Sequence, residues 1–252
     1  MRRHAGQPKR INVATQHDIK LELDVRCQEL IQRRLLATFP DYGFFGEEGQ
    51  SGAADAGWRW VVDPIDGTVN YTYGIPHACV SIALQRRVAA RSARSRRSWS
   101  GKFETVLGVV YDPFCKELWT AIRGQRAQLN RRPVAVSKRS RLDEAVVSLG
   151  FGKRAAALDH LLPAFARLTS RVRKLRLMGS AALALTYVAT GRFDAYIEVG
   201  LGLWDVAAGG LIVEGAGGEF RSRELPDGSQ AVLASNPHLR RRLQALVPTP
   251  RA

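Results

Sequence analysis

The stretch Trp58-Arg59-Trp60-Val61-Val62-Asp63-Pro64-Ile65-Asp66-Gly67-Thr68 constrains this chain more than any other. Its apolar, aromatic and β-branched half reads as a buried strand. Proline at position 64 ends the ladder and biases Asp63 toward an extended backbone. Asp63 and Asp66 then stand three apart across a Pro/Gly turn, with the Thr68 hydroxyl directly after. Carboxylates held that close repel unless a proton or a cation lies between them. On its own an Asp-x-x-Asp-Gly turn reads by default as an acidic surface turn behind a strand, so the decision rests on the rest of the chain.

Downstream, apolar runs at Cys79–Leu84, Val106–Tyr111, Glu117–Ala121 and Pro133–Ser137 predict further strands joined by turns, a largely antiparallel meander. Upstream, residues 25–38 carry the helical period, with Val25, Leu30, Ile31, Leu35 and Leu36 as the apolar face, glutamines and arginines opposite, and Asp24 in the N-cap position. The second half alternates. Strands are expected at 145–149, 173–177, 193–198 and 231–234, and helices at 155–169, 180–190, from Trp204 to about Gly215, and at the basic C-terminus. This pattern predicts an α+β lobe over residues 1–138 and an α/β lobe over 139–252.

Composition narrows the function classes. Cys27, Cys79 and Cys115 are widely spaced without a Cys-x-x-Cys pair, which argues against a zinc site or a disulfide scaffold and for reduced thiols. No apolar run approaches the ~20 residues of a membrane span, and no apolar segment follows the basic N-terminus as in a secretory signal. A soluble, cytoplasmic protein is the expectation. The net charge of +15 raises nucleic acid as a partner. Much of that excess lies in residues 1–10 and in the Arg/Ser-rich segment 86–102, which lacks periodicity and reads as a solvated insertion.

Four acidic positions fall at element ends: Glu47, Asp63 with Asp66, and Asp205. Hard oxygen ligands without neighbouring Cys or His suit Mg²⁺. Sequence separation alone does not bring Asp205 to Asp63.

Gly46-Glu47-Glu48, the run from Trp60 to Thr68, and Trp204-Asp205-Val206-Ala207-Ala208-Gly209 together resemble the three signature motifs of the inositol monophosphatase family. Gly108–Pro113 and Gly179–Ala182 match in order between them, and the resemblance spans about residues 18–238. It implies a Mg²⁺-dependent, lithium-sensitive phosphatase with a layered α/β/α/β/α sandwich fold, working as a homodimer on a small phosphorylated substrate. Carried over by position, Glu47, Asp63 and the carbonyl of Ile65 would hold one metal ion, and Asp63, Asp66 and Asp205 a second. Thr68 with Asp24 would orient and deprotonate the attacking water, with Glu47 among the catalytic acids. Backbone N–H groups of Gly67 and Thr68 would hold the phosphate. Gly179, Ser180, Ala181, Glu198 and Asp205 would face the rest of the substrate, and Glu48 would stay behind the site.

The chain departs from the family pattern in places. The family has a full helix before its first carboxylate motif, where seventeen residues precede Asp18 here. Leu21 replaces a usual threonine, and Lys20 beside it brings a charge near the site. The family's Asn-Gly turn is Asn130-Arg131, which places Arg131 at positive φ. The same motifs serve phosphatases of histidinol phosphate, fructose 1,6-bisphosphate and 3′-phosphoadenosine phosphates. A non-enzymatic role in nucleic-acid binding or transcription is the alternative from another class.

Overall fold

The structure, a computed structural model, describes residues 1, 9–14, 19–53, 55–88, 103–151 and 155–247, without the side chains of 155–160. Strands β1 (Ile11–Ala14) and β2 (Ile19–Leu21) pair antiparallel and lead into helix α1 (Glu22–Thr38). Then come β3 (Gly43–Gly46), β4 (Gly49–Ser51), β5 (Trp58–Asp66), the short α2 (Thr68–Thr72), β6 (Cys79–Arg87), β7 (Phe103–Asp112), β8 (Glu117–Ile122), β9 (Gln128–Leu129) and β10 (Arg132–Pro133). The second half runs β11 (Val146–Phe151), α3 (Ala155–Thr169), β12 (Lys174–Arg176), α4 (Ala181–Ala189), β13 (Ala195–Leu201), α5 (Leu203–Gly215), β14 (Glu219–Glu224), β15 (Gln230–Ser235) and α6 (Arg240–Leu246).

Among the described residues β10-β9-β8-β7-β6-β5-β3-β4 form an eight-stranded sheet and β12-β11-β13-β15-β14 a five-stranded one. The strand period of two sorts the first sheet's side chains onto opposite faces. Trp60 and Val62 point outward with Phe44 against Ile31, Leu35 and Leu36 of α1, whereas Val61, Ala83, Val110 and Trp119 point inward against α4 and α5. Those two helices carry Ala181, Ala182, Ala184, Ala207, Ala208 and Gly209 where they pack, and small side chains let them fit between the sheets. On the far face of the second sheet lie α3 and α6. The layers therefore run α/β/α/β/α, the expected sandwich.

Several local expectations change. Asp24 is the third residue of α1 rather than its N-cap, and its carboxylate accepts the Leu21 N–H at 2.8 Å. Leu30 is 47 % exposed, while Gln28 turns inward with Asp24 because they lie one turn apart. Of the run 133–137 only Pro133 joins the sheet, in β10, since Val136 N–H bonds instead to the Ala216 carbonyl beyond α5. Strand β14 went unread because its sequence, Glu-Phe-Arg-Ser-Arg-Glu, is nearly all polar. Asn130 and Arg131 do take positive φ, 48° and 66°.

Residues 89–102 of the Arg/Ser-rich segment lie outside the described residues, as do residues 2–8 of the basic N-terminus. Strands β6 and β7 stay in register out to the Arg87–Phe103 pair. Replacing residues 88–102 by Asn-Gly closes that pair with a two-residue type I′ turn. Steady-state kinetics of the shortened chain are expected to show an unchanged kcat; a folded but inactive product would give the insertion a part in the chemistry.

Candidate active site

Parallel strands β3 and β5 are neighbours, paired Gly43–Arg59 through Gly46–Val62. Phe45 and Val61 face the α4/α5 layer, so two residues on, Glu47 and Asp63 emerge from the same face. The ladder continues one step past β3, with Glu47 N–H donating to the Val62 carbonyl at 3.2 Å. Beneath it, Gln28 Oε1 accepts the Glu48 N–H at 2.9 Å. Gly46 makes room for that amide, since a Cβ there would lie 2.1 Å from Gln28 Oε1. Glu48 pairs with Lys20 at 3.2 Å, so the charge of Lys20 is spent behind the acidic cluster.

A backbone N–H fixes each of the three aspartates. Asp63 Oδ1 accepts Ile65 N–H at 2.9 Å across Pro64, where β5 shifts register rather than ending in the expected turn. Asp66 accepts the Ser180 hydroxyl at 2.6 Å, the Ala182 N–H at 2.7 Å and the Ala181 N–H at 3.2 Å, so it sits on the N-terminus of α4. Asp205, third residue of α5, accepts the Gly202 N–H at 2.6 Å. Negative charge is favoured at such helix starts. Trp204 packs on Phe45 at 5.6 Å between ring centroids, and its carbonyl accepts Ser81 Oγ, which ties the start of α5 to the first sheet.

These contacts bring one oxygen from each of Asp63, Asp66 and Asp205 within 4.8 Å of one another. Burial raises the carboxyl of Asp63 well above its ordinary value, and the charges of Glu47, Asp66 and Asp205 push it further. Asp205 is raised well above its ordinary value by the same causes, burial first, then Asp66 and Glu47. Asp66 is also raised by burial, though the donors of Ser180, Ala182 and Ala181 oppose the shift. Among the described residues no Lys or Arg pairs with any of the three.

The three aspartates open into a cleft of about 780 Å³ that Glu47, Ile65, Gly67, Thr68, Gly179, Ser180, Ala181 and Glu198 also line. Asp24 is not among its lining residues: it is 1 % exposed, beside Leu21 at the start of α1. Gly67 stands at φ +91°, where a Cβ would meet the His77 carbonyl at 2.9 Å. Only glycine turns the chain there without strain. Thr68 donates its hydroxyl to the Ile65 carbonyl at 2.8 Å. Among the described residues lining the cleft there is no Lys or Arg. Among the described residues a phosphate entering it meets carboxylates and no side-chain cation, so this donor set fits a hard metal ion that supplies positive charge.

The sequence profile of the inositol monophosphatase family matches residues 1–247. The chain belongs to the inositol monophosphatase family. It is 36 % identical over 247 residues to an inositol-1-monophosphatase of Rhizobium meliloti, covering 92 % of this chain and 84 % of that protein. Over 230 residues it is 37 % identical to a Nus factor SuhB of Xylella fastidiosa, covering 89 % and 78 %. The crystal structure of extragenic suppressor protein suhB from Bartonella henselae superposes with a TM-score of 0.84 at 32 % identity, over 99 % of this chain and 93 % of that one. As a member of the inositol monophosphatase family the chain is a phosphatase, from a family of metal-dependent enzymes.

One residue of this phosphatase that the sequence reading passed over is Asn70. Its Nδ2 donates to the Met178 carbonyl at 2.7 Å and to the His77 carbonyl at 3.0 Å, joining the Gly67 turn to the segment that starts α4. The available signal was a side-chain amide three residues after Gly67, on a helix only five residues long.

Proposed function

We propose that this phosphatase is a Mg²⁺-dependent phosphomonoesterase that hydrolyses a small polyol phosphate such as inositol monophosphate. The supporting observation is the cluster of proton-hungry carboxylates on buried Asp63 and Asp66 and half-buried Asp205, in a cleft without a described side-chain cation. Glu47, Asp63 and the Ile65 carbonyl would hold one ion, and Asp63, Asp66 and Asp205 a second. The Ile65 carbonyl keeps a lone pair for this role beside its bond from Thr68. When bound, Mg²⁺ neutralises the phosphate, acidifies water and stabilises the leaving alkoxide.

The chain's own residues do the positioning. Backbone N–H groups of Gly67 and Thr68 hold the phosphate oxygens. Thr68 orients the attacking water; passing its proton on to Asp24, which lies outside the cleft, requires the Thr68 hydroxyl to leave the Ile65 carbonyl. Glu198, which lines the same cleft as the aspartates, accepts a hydroxyl of the polyol. Hydrolysis then needs no covalent nucleophile, because orientation and charge stabilisation supply most of the acceleration. Thr68→Ala is expected to lower kcat about 100-fold, the scale of a lost proton-transfer group, while the Mg²⁺ concentration for half-maximal activity stays put. Equal losses in kcat and in metal affinity would remove Thr68 from the proton path.

Phosphate release from inositol, histidinol, fructose and adenosine phosphates, with Mg²⁺, without it, and with added Li⁺, tests the assignment. Mg²⁺-dependent, Li⁺-inhibited release from an inositol monophosphate is the expected result; release from another ester alone would reassign the substrate. A second reading, contact with nucleic acid, is favoured by the +15 charge and by relatives named Nus factor SuhB. It requires salt-dependent RNA binding that persists in Asp63→Asn, and absence of binding at physiological salt would dismiss it.

A further inference from the structure

Glu198 is held from two sides by residues that the phosphate chemistry does not require. It follows Tyr196 by two positions on β13, so both side chains leave the same face of the strand. Tyr196 is 2 % exposed, and its hydroxyl donates to Glu198 Oε2. Burial, followed by the neighbouring Glu198 charge, raises the phenol well above its ordinary value, which keeps the proton on the tyrosine. On parallel strand β11 the register partner of Glu198 is Gly150. A Cβ at Gly150 would lie 1.6 Å from Glu198 Oε2 and 2.6 Å from Oε1. The carboxylate therefore occupies the space that any other residue at position 150 would fill. Both Gly150 and Glu198 line the cleft, beside Phe151 and Leu177.

We propose that Tyr196 and Gly150 are specificity-positioning residues, which fix the Glu198 carboxylate where it accepts a hydroxyl of the substrate's alcohol. The inference rests on the phosphomonoesterase reading above and deepens it. A carboxylate held by the Tyr196 hydroxyl and seated over an open backbone loses little freedom when substrate arrives. A site built to accept a substrate hydroxyl also rejects esters that lack one. Discrimination between phosphate esters would thus depend on two residues that act through Glu198.

The test compares kcat/KM for inositol 1-phosphate with kcat/KM for p-nitrophenyl phosphate, whose leaving group carries no aliphatic hydroxyl, at saturating Mg²⁺. Tyr196→Phe keeps the buried ring and removes only the donor. Its ratio of polyol to aryl ester is expected to fall about tenfold, the scale of one hydrogen bond to a charged group, with the change mainly in KM for the polyol ester. Gly150→Ala moves the ratio in the same direction by displacing the carboxylate. A purely structural role would lower both esters together and leave the ratio at its wild-type value, which overturns the proposal. So does a ratio that falls in Glu198→Gln but not in Tyr196→Phe. A wild-type protein silent on both esters overturns the phosphomonoesterase reading and takes this inference with it.

Discussion

Asp63→Asn is expected to abolish turnover, by at least about 1,000-fold or roughly 4 kcal/mol of transition-state stabilisation. Asp63 stands at the centre of the cluster, with Glu47, Asp66 and Asp205 all acting on it. Asparagine can still present an oxygen to the Ile65 N–H, so the register shift of β5 at Pro64 survives the change. What it puts in place of the second carboxylate oxygen is an NH₂ group, a donor that binds no cation. The fold should not suffer, because the substitution removes one of several buried like charges. Thermal melting distinguishes the two effects. Mg²⁺ should raise the melting temperature of the wild type and leave Asp63→Asn nearly unmoved, while the metal-free variant melts no lower than the metal-free wild type. Residual activity above about one hundredth of wild type would take Asp63 out of the ligand set.

Metal-free protein is expected to lose stability as pH rises, the opposite of ordinary acid denaturation. Asp63, Asp66 and Asp205 all have folded-state carboxyls raised above their ordinary values, chiefly by burial. The folded state then holds protons that the unfolded chain has released. That contribution is fully present below the unfolded carboxylate value of about 3.9 and is lost as pH climbs toward and through the raised folded values. A bound cation reverses the sign by favouring the ionised carboxylates, and it stabilises by mass action. Urea melts at about pH 5.5 and pH 8, each with Mg²⁺ and with a chelator, read this directly. The stabilisation by Mg²⁺ should be larger at the higher pH. An equal effect at both, with metal-free stability flat or rising between them, would mean that the aspartates are paired some other way.

The parts of this fold that a sequence exposes are those set by period and by turn residues. The strand at Trp58–Val62 and the Ala-rich helix after Ser180 were readable because local pattern and tertiary role agree there. Pro64 does not end that strand as expected: it only shifts the register, and β5 runs on to Asp66, which pairs with Cys79. β14 was not, since its pairing with β15 overrides a polar sequence. Gln28 was misplaced for a related reason. A glutamine on a helix is normally solvated, and only the missing side chain at Gly46 lets this one reach inward to Glu48. In the site, each acid was visible as a residue at an element end. The approach of Asp205 to Asp63 was not, because it depends on α5 crossing the inner face of the first sheet. Tyr196 was likewise silent: it reads as one more apolar position of a strand, and nothing local announces the hydroxyl it turns to Glu198.

The most direct test of the account is the rate of phosphate release from inositol monophosphate, measured as Mg²⁺ is titrated from none to saturation. No release is expected without the ion, and the rate should rise with it to a plateau. Release that continues undiminished in excess chelator would contradict it, because the buried aspartates would then be doing something other than holding a cation for the reaction.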